Sequence, residues 1–492
     1  MAECVPRGST ELAALVESKR MPPRKDPNKK AEAPAPVVAG KASAGGISLG
    51  GLFALVAIMA VVGRQLAAPR ASIPPHLSNH PVHVIPELIP ADLAAELMQI
   101  MKNFEVFSSN VDQSKAQGFA PKYEDIGEAE QIRPDGTCAH MLLFPNHNKS
   151  RCHLPQRVDI GKHFIMTGGM DGLKEPYSSL VDRVSSFGRY TFPEQLTDYP
   201  AVERLFGSSR FQAAARSVCP ATKQHLDAFQ FNYIVQVPGQ TVALHIDSPY
   251  FYGADRFSFP QWLLVAMVWS GLFQDKFIDQ VQVVGYLHEW EPAAAADGGP
   301  SGGGEFLWYD NSTSYHKVLP APRSGSVVDG SKMLHAATAY RPSTRAPHMD
   351  KSRDNVLRFT GGASGEQWEV QSDGATIQQY NTTDLRIAIV YRARCFPDAE
   401  ALEAYKSSPP EVMDMDAVLD KMVADLVVRG AMPAGSTKDT LPRLDLAFKL
   451  MDTYIRYPLP PTEMAILPYN LCAAPLVLPW LAPLFKSLPF CQ

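Results

Sequence analysis

Several common signatures are missing from this 492-residue chain. There is no basic excess: the net charge is −5 and the pI about 6.2, so no bulk field draws it to nucleic acid. There is no C-x-x-C pair, which argues against a zinc ribbon. No internal repeat is visible. The glycine-rich GGPSGGGEF lacks the Lys-Ser/Thr and the following helix of a phosphate cradle, and reads as a loop. No nucleophile elbow or Ser-His-Asp arrangement stands out. Uncharged apolar runs long enough to approach a membrane span are also scarce; there is one.

That run is ISLGGLFALVAIMAVVG, residues 47–63, at the short end for a span, with no charge between Lys41 and Arg64. Residues 1–46 carry Lys19, Arg20, Arg24, Lys25, Lys29 and Lys30 and read as a disordered basic tail. Positive charge on the N-terminal side predicts a cytosolic tail, a signal anchor at 47–63 and a lumenal body: a single-pass type II protein of the endoplasmic reticulum or Golgi membrane. A buried core helix is the bland alternative. A plastid or mitochondrial presequence is the other, and Glu3, Glu11, Glu17, Asp26 and Glu32 count against it. Beyond the run stand three Asn-x-Ser/Thr sequons, at Asn148, Asn311 and Asn381, and six cysteines. An even number suits disulfides in an oxidising lumen, and Cys138 with Cys152, flanking one short polar loop, is the first expected pair.

The chain is 45% hydrophobic, enough for one large or two medium domains. Residues 64–83 read as a Pro-rich stem, and 86–104 and 199–220 have helical spacing. From 226 the pattern becomes β-rich, with strands around the Pro238-Gly239 turn, at 280–290, and in GEFLWYD, GSVVDG, LHAATAY and LRIAIVYRARCF. WLLVAMVWSGLF, 262–273, fits a buried strand or a short helix. Residues near 251–280 and 342–379 look like insertions, the second with a small hairpin of its own. After Pro397 the chain turns helical; its last thirty residues are apolar and Pro-punctuated, either a wrap over the core or a peripheral membrane contact. DMD at 414–416 could suggest a glycosyltransferase metal motif, but in a helical acidic stretch it reads as a solvated face.

The informative stretch is LHIDSPYFYG, 244–253. On a strand, residues i and i+2 project to one side, so His245 and Asp247 can reach one ion. A non-haem Fe(II) centre needs a second His from an adjacent strand, and His335, opening a strand after the turn of SGSVVDGSKMLHAAT, is placed to supply it. His316 is the fallback. The other histidines read as structural.

Four segments in order, FNYIVQVPGQTVALHID, VVGYLHEW with GGEFLWYDN, PRSGSVVDGSKMLHAA and LRIAIVYRA, resemble the Fe(II)/2-oxoglutarate dioxygenases, most closely the prolyl 4-hydroxylase-like branch. The resemblance covers roughly 84–396 and implies a β-rich α+β fold: a double-stranded β-helix (jelly roll) with flanking helices, followed by a helical and apolar extension at 397–492. It implies Fe(II) on His245, Asp247 and His335; 2-oxoglutarate on Arg386, with a hydroxyl from Tyr233 and Asn232 behind it; and ascorbate as an accessory reductant. Arg345 sits nearer the family's usual offset, yet RPSTRAPHMD is turn-like, whereas Arg386 begins a strand. The implied reaction is C–H hydroxylation coupled to decarboxylation of 2-oxoglutarate, since halogenating relatives lack the carboxylate that Asp247 provides. The expected substrate is a prolyl or other residue of a secretory protein, a peptide, or a small molecule, with no nucleic acid partner. The alternatives are a type II membrane glycosyltransferase and a catalytically inactive barrel that binds partners.

Overall fold

The computed structural model describes residues 72–109, 130–138, 140, 142–145, 150–169, 175–191, 198–290, 302–350, 353–408, 410–459, 470–488 and 491. All belong to the unit Ala68–Gln492. The expected anchor 47–63 lies outside the described residues; among those described, no helix is long and apolar enough to cross a membrane.

Alternation of side chains builds the centre of the molecule. The strands used below are β1 (Val82–Ile85), β2 (Val106–Ser109), β3 (Phe187–Thr191), β4 (His225–Gln236), β5 (Val242–His245), β6 (Gln280–Tyr286) and β7 (Phe306–Tyr309). They continue with β8 (Tyr315–Val318), β9 (Gly325–Val328), β10 (His335–Ala337), β11 (Asn355–Gly361), β12 (Gln367–Ser372), β13 (Ala375–Asn381) and β14 (Arg386–Phe396). A ten-stranded sheet runs β1-β9-β6-β14-β4-β3-β2-β11-β12-β13, and a four-stranded sheet runs β8-β7-β10-β5. All neighbours in both are antiparallel. Along the chain β4, β6, β9 and β14 enter the large sheet, while β5, β7, β8 and β10 enter the small one. That alternation is the strand order of a jelly roll, as the double-stranded β-helix expectation required.

The helices fall on the two outer faces. Helices α1 (Ala91–Phe104), α3 (Pro200–Gly207) and α4 (Ser209–Arg216) share one apolar core with the outer face of the large sheet, including Phe231, Tyr233, Val235, Val281, Val283, Ile387 and Ile389. Helices α2 (Val158–Thr167), α5 (Gln261–Ser270), α6 (Met415–Val428) and α7 (Arg443–Tyr454) share a second core with Leu244, Ile246, Leu307 and Ala336 behind the small sheet. The ambiguous run at 262–273 is therefore mostly helix. From Trp262 to Ser270 every side chain of α5 is buried, as an all-round apolar helix requires.

Two expectations change. Ile73 and Leu77, from the expected stem, are buried in the core behind the small sheet, and β1 pairs with β9, so the body begins earlier than position 84. The hairpin of the 342–379 segment does not stand alone: β11 pairs with β2, so β11–β13 extend the large sheet. DMD keeps its reading as a solvated acidic stretch at a helix: Asp414 is exposed and its side chain caps α6 by accepting from the Asp416 amide. The described cysteines form three disulfides, Cys138–Cys152 as expected, Cys219–Cys395 and Cys472–Cys491.

Two buried imidazoles tie stability to pH. Burial pushes His163 of α2 down to about 4; burial, with Arg386 adding to it, does the same to His288 after β6. Both folded values lie below the ordinary one near 6.5, so the unfolded chain binds more protons between the two. Stability present above pH ~6.5 is lost as pH falls towards 4. The thermal midpoint is expected to drop across that window, and His163→Phe to flatten the drop. A wild-type midpoint that stays level from pH 7 to 4.5 would contradict this account.

Candidate metal centre

Strand β5 is an edge of the small sheet, paired only with β10, with His245 directly opposite His335. The two rings lie 4.4 Å apart between centroids. Alternation sends Leu244 and Ile246 into the helical core and turns His245 and Asp247 towards the interior between the sheets. One nitrogen from each histidine and one oxygen of Asp247 lie within 4.8 Å of one another.

The protonation of the site follows from its hydrogen bonds. Each histidine places Nδ1 2.8 Å from a backbone carbonyl two residues earlier, Ala243 for His245 and Met333 for His335. A carbonyl can only accept, so each Nδ1 carries a proton and Nε2 is the nitrogen left to face a metal. The Gln282 amide donates to His335 Nε2 (3.3 Å), consistent with that assignment. Burial, reinforced by the neighbouring His245, pushes the His335 imidazole down to about 4, which keeps it neutral at physiological pH. Burial alone would raise the Asp247 carboxyl; the Arg392 guanidinium and the histidines hold it well below the usual range instead. Arg392 donates to Asp247 Oδ1 (2.5 Å) from Nη2 and to Gln282 Oε1 (2.8 Å) from Nε. Two imidazoles and one ionised carboxylate on one side of a buried space are the donor set of a two-histidine, one-carboxylate metal site. Gly330 adjoins it. Its carbonyl accepts from the Asp247 amide (2.7 Å), and a Cβ there would come within 2.1 Å of Asp247 Oδ2.

Further along the inner face of the large sheet lies a second feature. Arg386 is 4% exposed, donates from Nη1 to Gln236 Oε1 (2.6 Å) and from Nε to the Gly304 carbonyl (3.0 Å), and stacks over the Tyr286 ring at 5.1 Å. Burial lowers the pKa of its guanidinium, and no carboxylate among the described residues makes an ion pair with it. Gly304 has φ +72°, and a Cβ there would come within 2.8 Å of Arg386 Cδ, so the close approach needs glycine.

The structure thus brings His245, Asp247 and His335 together and sets Arg386 on the same interior. Asn232 also faces inward, buried, accepting from Gln230 (3.0 Å). Tyr233 does not enter the site. It is wholly buried on the opposite face of β4, its hydroxyl donating to the Leu97 carbonyl of α1 (2.9 Å) and its ring packed on Phe104, Phe107 and Phe231. One residue's difference in strand parity puts it in the helical core. The aromatic ring beside Arg386 is Tyr286 instead. Arg345 lies elsewhere, lining a cavity with Glu175 and Asp182, and His316 on β8 pairs with Asp310. Arg392, Gln282, Gln236 and Tyr286 were not singled out from sequence. A signal for them existed: in FQFNYIVQ, QVQVVGY and RIAIVYRAR the polar residues share one parity, and that parity is the interior.

No family model and no curated protein matches this chain. Solved structures similar to it include a Pseudomonas putida prolyl-4-hydroxylase, at 11% identity over 64% of this chain and 92% of that one, TM-score 0.24. A Trichoplax adhaerens prolyl hydroxylase, in complex with a hypoxia inducible factor peptide fragment, has 10% identity over 72% and 95%, TM-score 0.28. HygX from Streptomyces hygroscopicus, with nickel, 2-oxoglutarate and hygromycin B bound, has 7% identity over 64% and 83%, TM-score 0.26. Scores this low carry no argument, so the site geometry has to carry the functional conclusion.

Gly330→Ala is expected to push Asp247 from its place and weaken divalent-metal binding by at least about tenfold, the scale seen when a ligand's immediate support is lost. Calorimetric titration of the full-length chain with Mn(II) measures this; wild-type affinity in the variant would mean that the carboxylate is not a ligand.

Proposed function

We propose that the protein is an Fe(II)/2-oxoglutarate-dependent oxygenase that hydroxylates a C–H bond. One observation carries this reading: a two-histidine, one-carboxylate centre shares a buried interior with a guanidinium, Arg386, that no described carboxylate neutralises. A buried charge without a counter-ion is costly, and an anionic ligand is the economical partner. The planar fork of arginine suits a carboxylate bidentately. His245 Nε2, Asp247 and His335 Nε2 would hold the iron, which when bound supplies the activation of oxygen.

The chain's own residues then divide the work. Arg386, fixed by Gln236 and the Gly304 carbonyl, takes one carboxylate of the dicarboxylic co-substrate. Tyr286, stacked on it, closes that end and keeps water away. Arg392 keeps Asp247 ionised and aimed, and with Gln282 links it to His335. Phe306 and Trp308, packed with Val328 and Met333, make a dry wall beside His335.

The substrate is taken to be a peptide or a small molecule. Of the aromatics after the His-x-Asp pair, Tyr250, Phe251, Phe259 and Trp262 are buried and explained by packing, while Tyr252 and Phe257 are exposed. Support for a secretory setting comes from the three disulfides and the apolar run 47–63; with them we place the body in the lumen of the endoplasmic reticulum or Golgi, anchored as a type II protein, with ascorbate as accessory reductant.

The test is succinate formation from 2-oxoglutarate by the full-length chain in detergent, loaded anaerobically with Fe(II) and then given oxygen. Turnover, even uncoupled from a prime substrate, is expected, and His245→Ala should abolish it. Arg386→Lys should raise the KM for 2-oxoglutarate about ten- to a hundredfold, the loss of one charge-assisted bond of about 1.5–3 kcal/mol, with metal affinity unchanged. Iron binding without any succinate, across a range of candidate substrates, would defeat the proposal.

A further inference from the structure

The outer side of the His-x-Asp strand is gripped by a buried polar cluster that the metal centre does not itself use. Arg157, at the start of α2, donates from Nη2 to the carbonyl of Ile246, the residue between the two ligands (3.0 Å). The same guanidinium holds Asp159 through Nε (3.0 Å) and Nη2 (2.9 Å). Tyr457, three residues beyond α7, donates its hydroxyl to Asp159 Oδ2 (3.0 Å). Asp159 and Tyr457 are 3% and 5% exposed, and the Arg157 side chain that joins them to Ile246 is 20% exposed.

The adjoining residue makes the same kind of tie on the other side of Asp247. The Gln156 carbonyl accepts from the Trp262 amide (2.9 Å), and its side chain accepts from the Gln261 amide (3.2 Å) at the start of α5. The Gln261 side chain in turn accepts from the hydroxyl of Ser248. Residues 246 and 248 are thus both fastened to the 156–159 segment, and Asp247 between them points inward. The need for such fastening follows from topology. Strand β5 is a sheet edge whose pairing with β10 ends at His245, so no strand neighbour receives the Ile246 carbonyl.

We propose that Arg157 is a positioning residue of the metal centre: held by Asp159 and by Tyr457 of the C-terminal extension, it fixes the Ile246 peptide and with it the spacing of His245 and Asp247. The inference rests on the metal centre read above. It makes the C-terminal extension part of the site, because the ordering of Asp159 depends on a hydroxyl brought from position 457.

Full-length wild type and the variants Arg157→Lys, Tyr457→Phe and Tyr454→Phe are titrated anaerobically with Co(II), following affinity, the absorption of the bound ion and thermal midpoint. Arg157→Lys keeps the charge but loses the fork, and should bind Co(II) ~10- to 100-fold more weakly with an altered absorption spectrum. Tyr457→Phe should shift both readouts the same way, by less. Tyr454→Phe is the control: that hydroxyl bonds Met422 and Asp425 within the extension, so its loss should lower the midpoint and leave the affinity unchanged. If wild type binds Co(II) and the first two variants bind it equally well with the same spectrum, the positioning role falls and the oxygenase reading stands. If wild type binds no Co(II), both fall. Should Arg157→Lys fail to fold, Tyr457→Phe, which removes a single hydroxyl, decides the matter.

Discussion

Strand β5 has to satisfy two environments within four consecutive residues. Leu244 and Ile246 are buried in an apolar core that reaches α5, α6 and α7, while His245 and Asp247 face a polar interior. Because side chains alternate with period two, neither demand can be met without the other, and a slip of one residue would exchange them. Much of the architecture follows. The apolar side needs a cover, which accounts for the buried helix of the 251–280 segment and for the helices after Pro397 packing behind the small sheet. The polar side needs charges balanced, which accounts for Arg392 reaching across from the large sheet to Asp247.

The interior of this jelly roll is unusual for a sandwich in being lined with polar groups. Gln230, Asn232, Gln236, Gln282, Arg386 and His335 are all at least nine-tenths buried. Such groups cost stability unless satisfied; they bond one another, Gln230 to Asn232, Gln236 to Arg386, and Gln282 to Arg392 and His335, yet Gln230 Oε1 and Gln236 Nε2 are buried without a hydrogen-bond partner. A core selected for stability alone would be apolar here. The outer faces of the same strands are, with Phe231, Val235, Val281, Ile387 and Ile389. The contrast between the two faces of one sheet is therefore a mark of function, independent of any likeness to other proteins.

What could be read from sequence was what local rules govern. His-x-Asp needs only alternation, His335 and Arg386 each open a strand, and the structure brings His245, Asp247 and His335 within reach of one ion. Tyr233 departs from the family resemblance because its parity in β4 is opposite to that of Asn232. Arg386 pairs with Gln236, so in β4 the even positions face in and Tyr233 faces out. Arg157 and Tyr457 were out of reach for another reason. They contact the ligand strand across 89 residues in one direction and meet through Asp159 across 298 in the other, and no periodicity connects such positions. The hairpin of β11 and β12 was misjudged for a similar cause: its partner β2 lies some 250 positions earlier, invisible to any local window.

The two arginines of β14 bear on the chemistry as a pair. Arg386 and Arg392 stand six residues apart with the same parity, about 20 Å along the strand at the usual rise. One touches the carboxylate of the metal centre; the other is anchored by Gln236 and Gly304 near the far end of the same face. Between them the same face is uncharged at Ala388 and Val390. Arg392 already has Asp247 as its counter-ion, so among the described residues the unmet charge of this face is at Arg386. On the oxygenase reading proposed above, Arg386 would orient the bound carboxylate, and strand parity sets it on the same face as Arg392 and the Asp247 it holds.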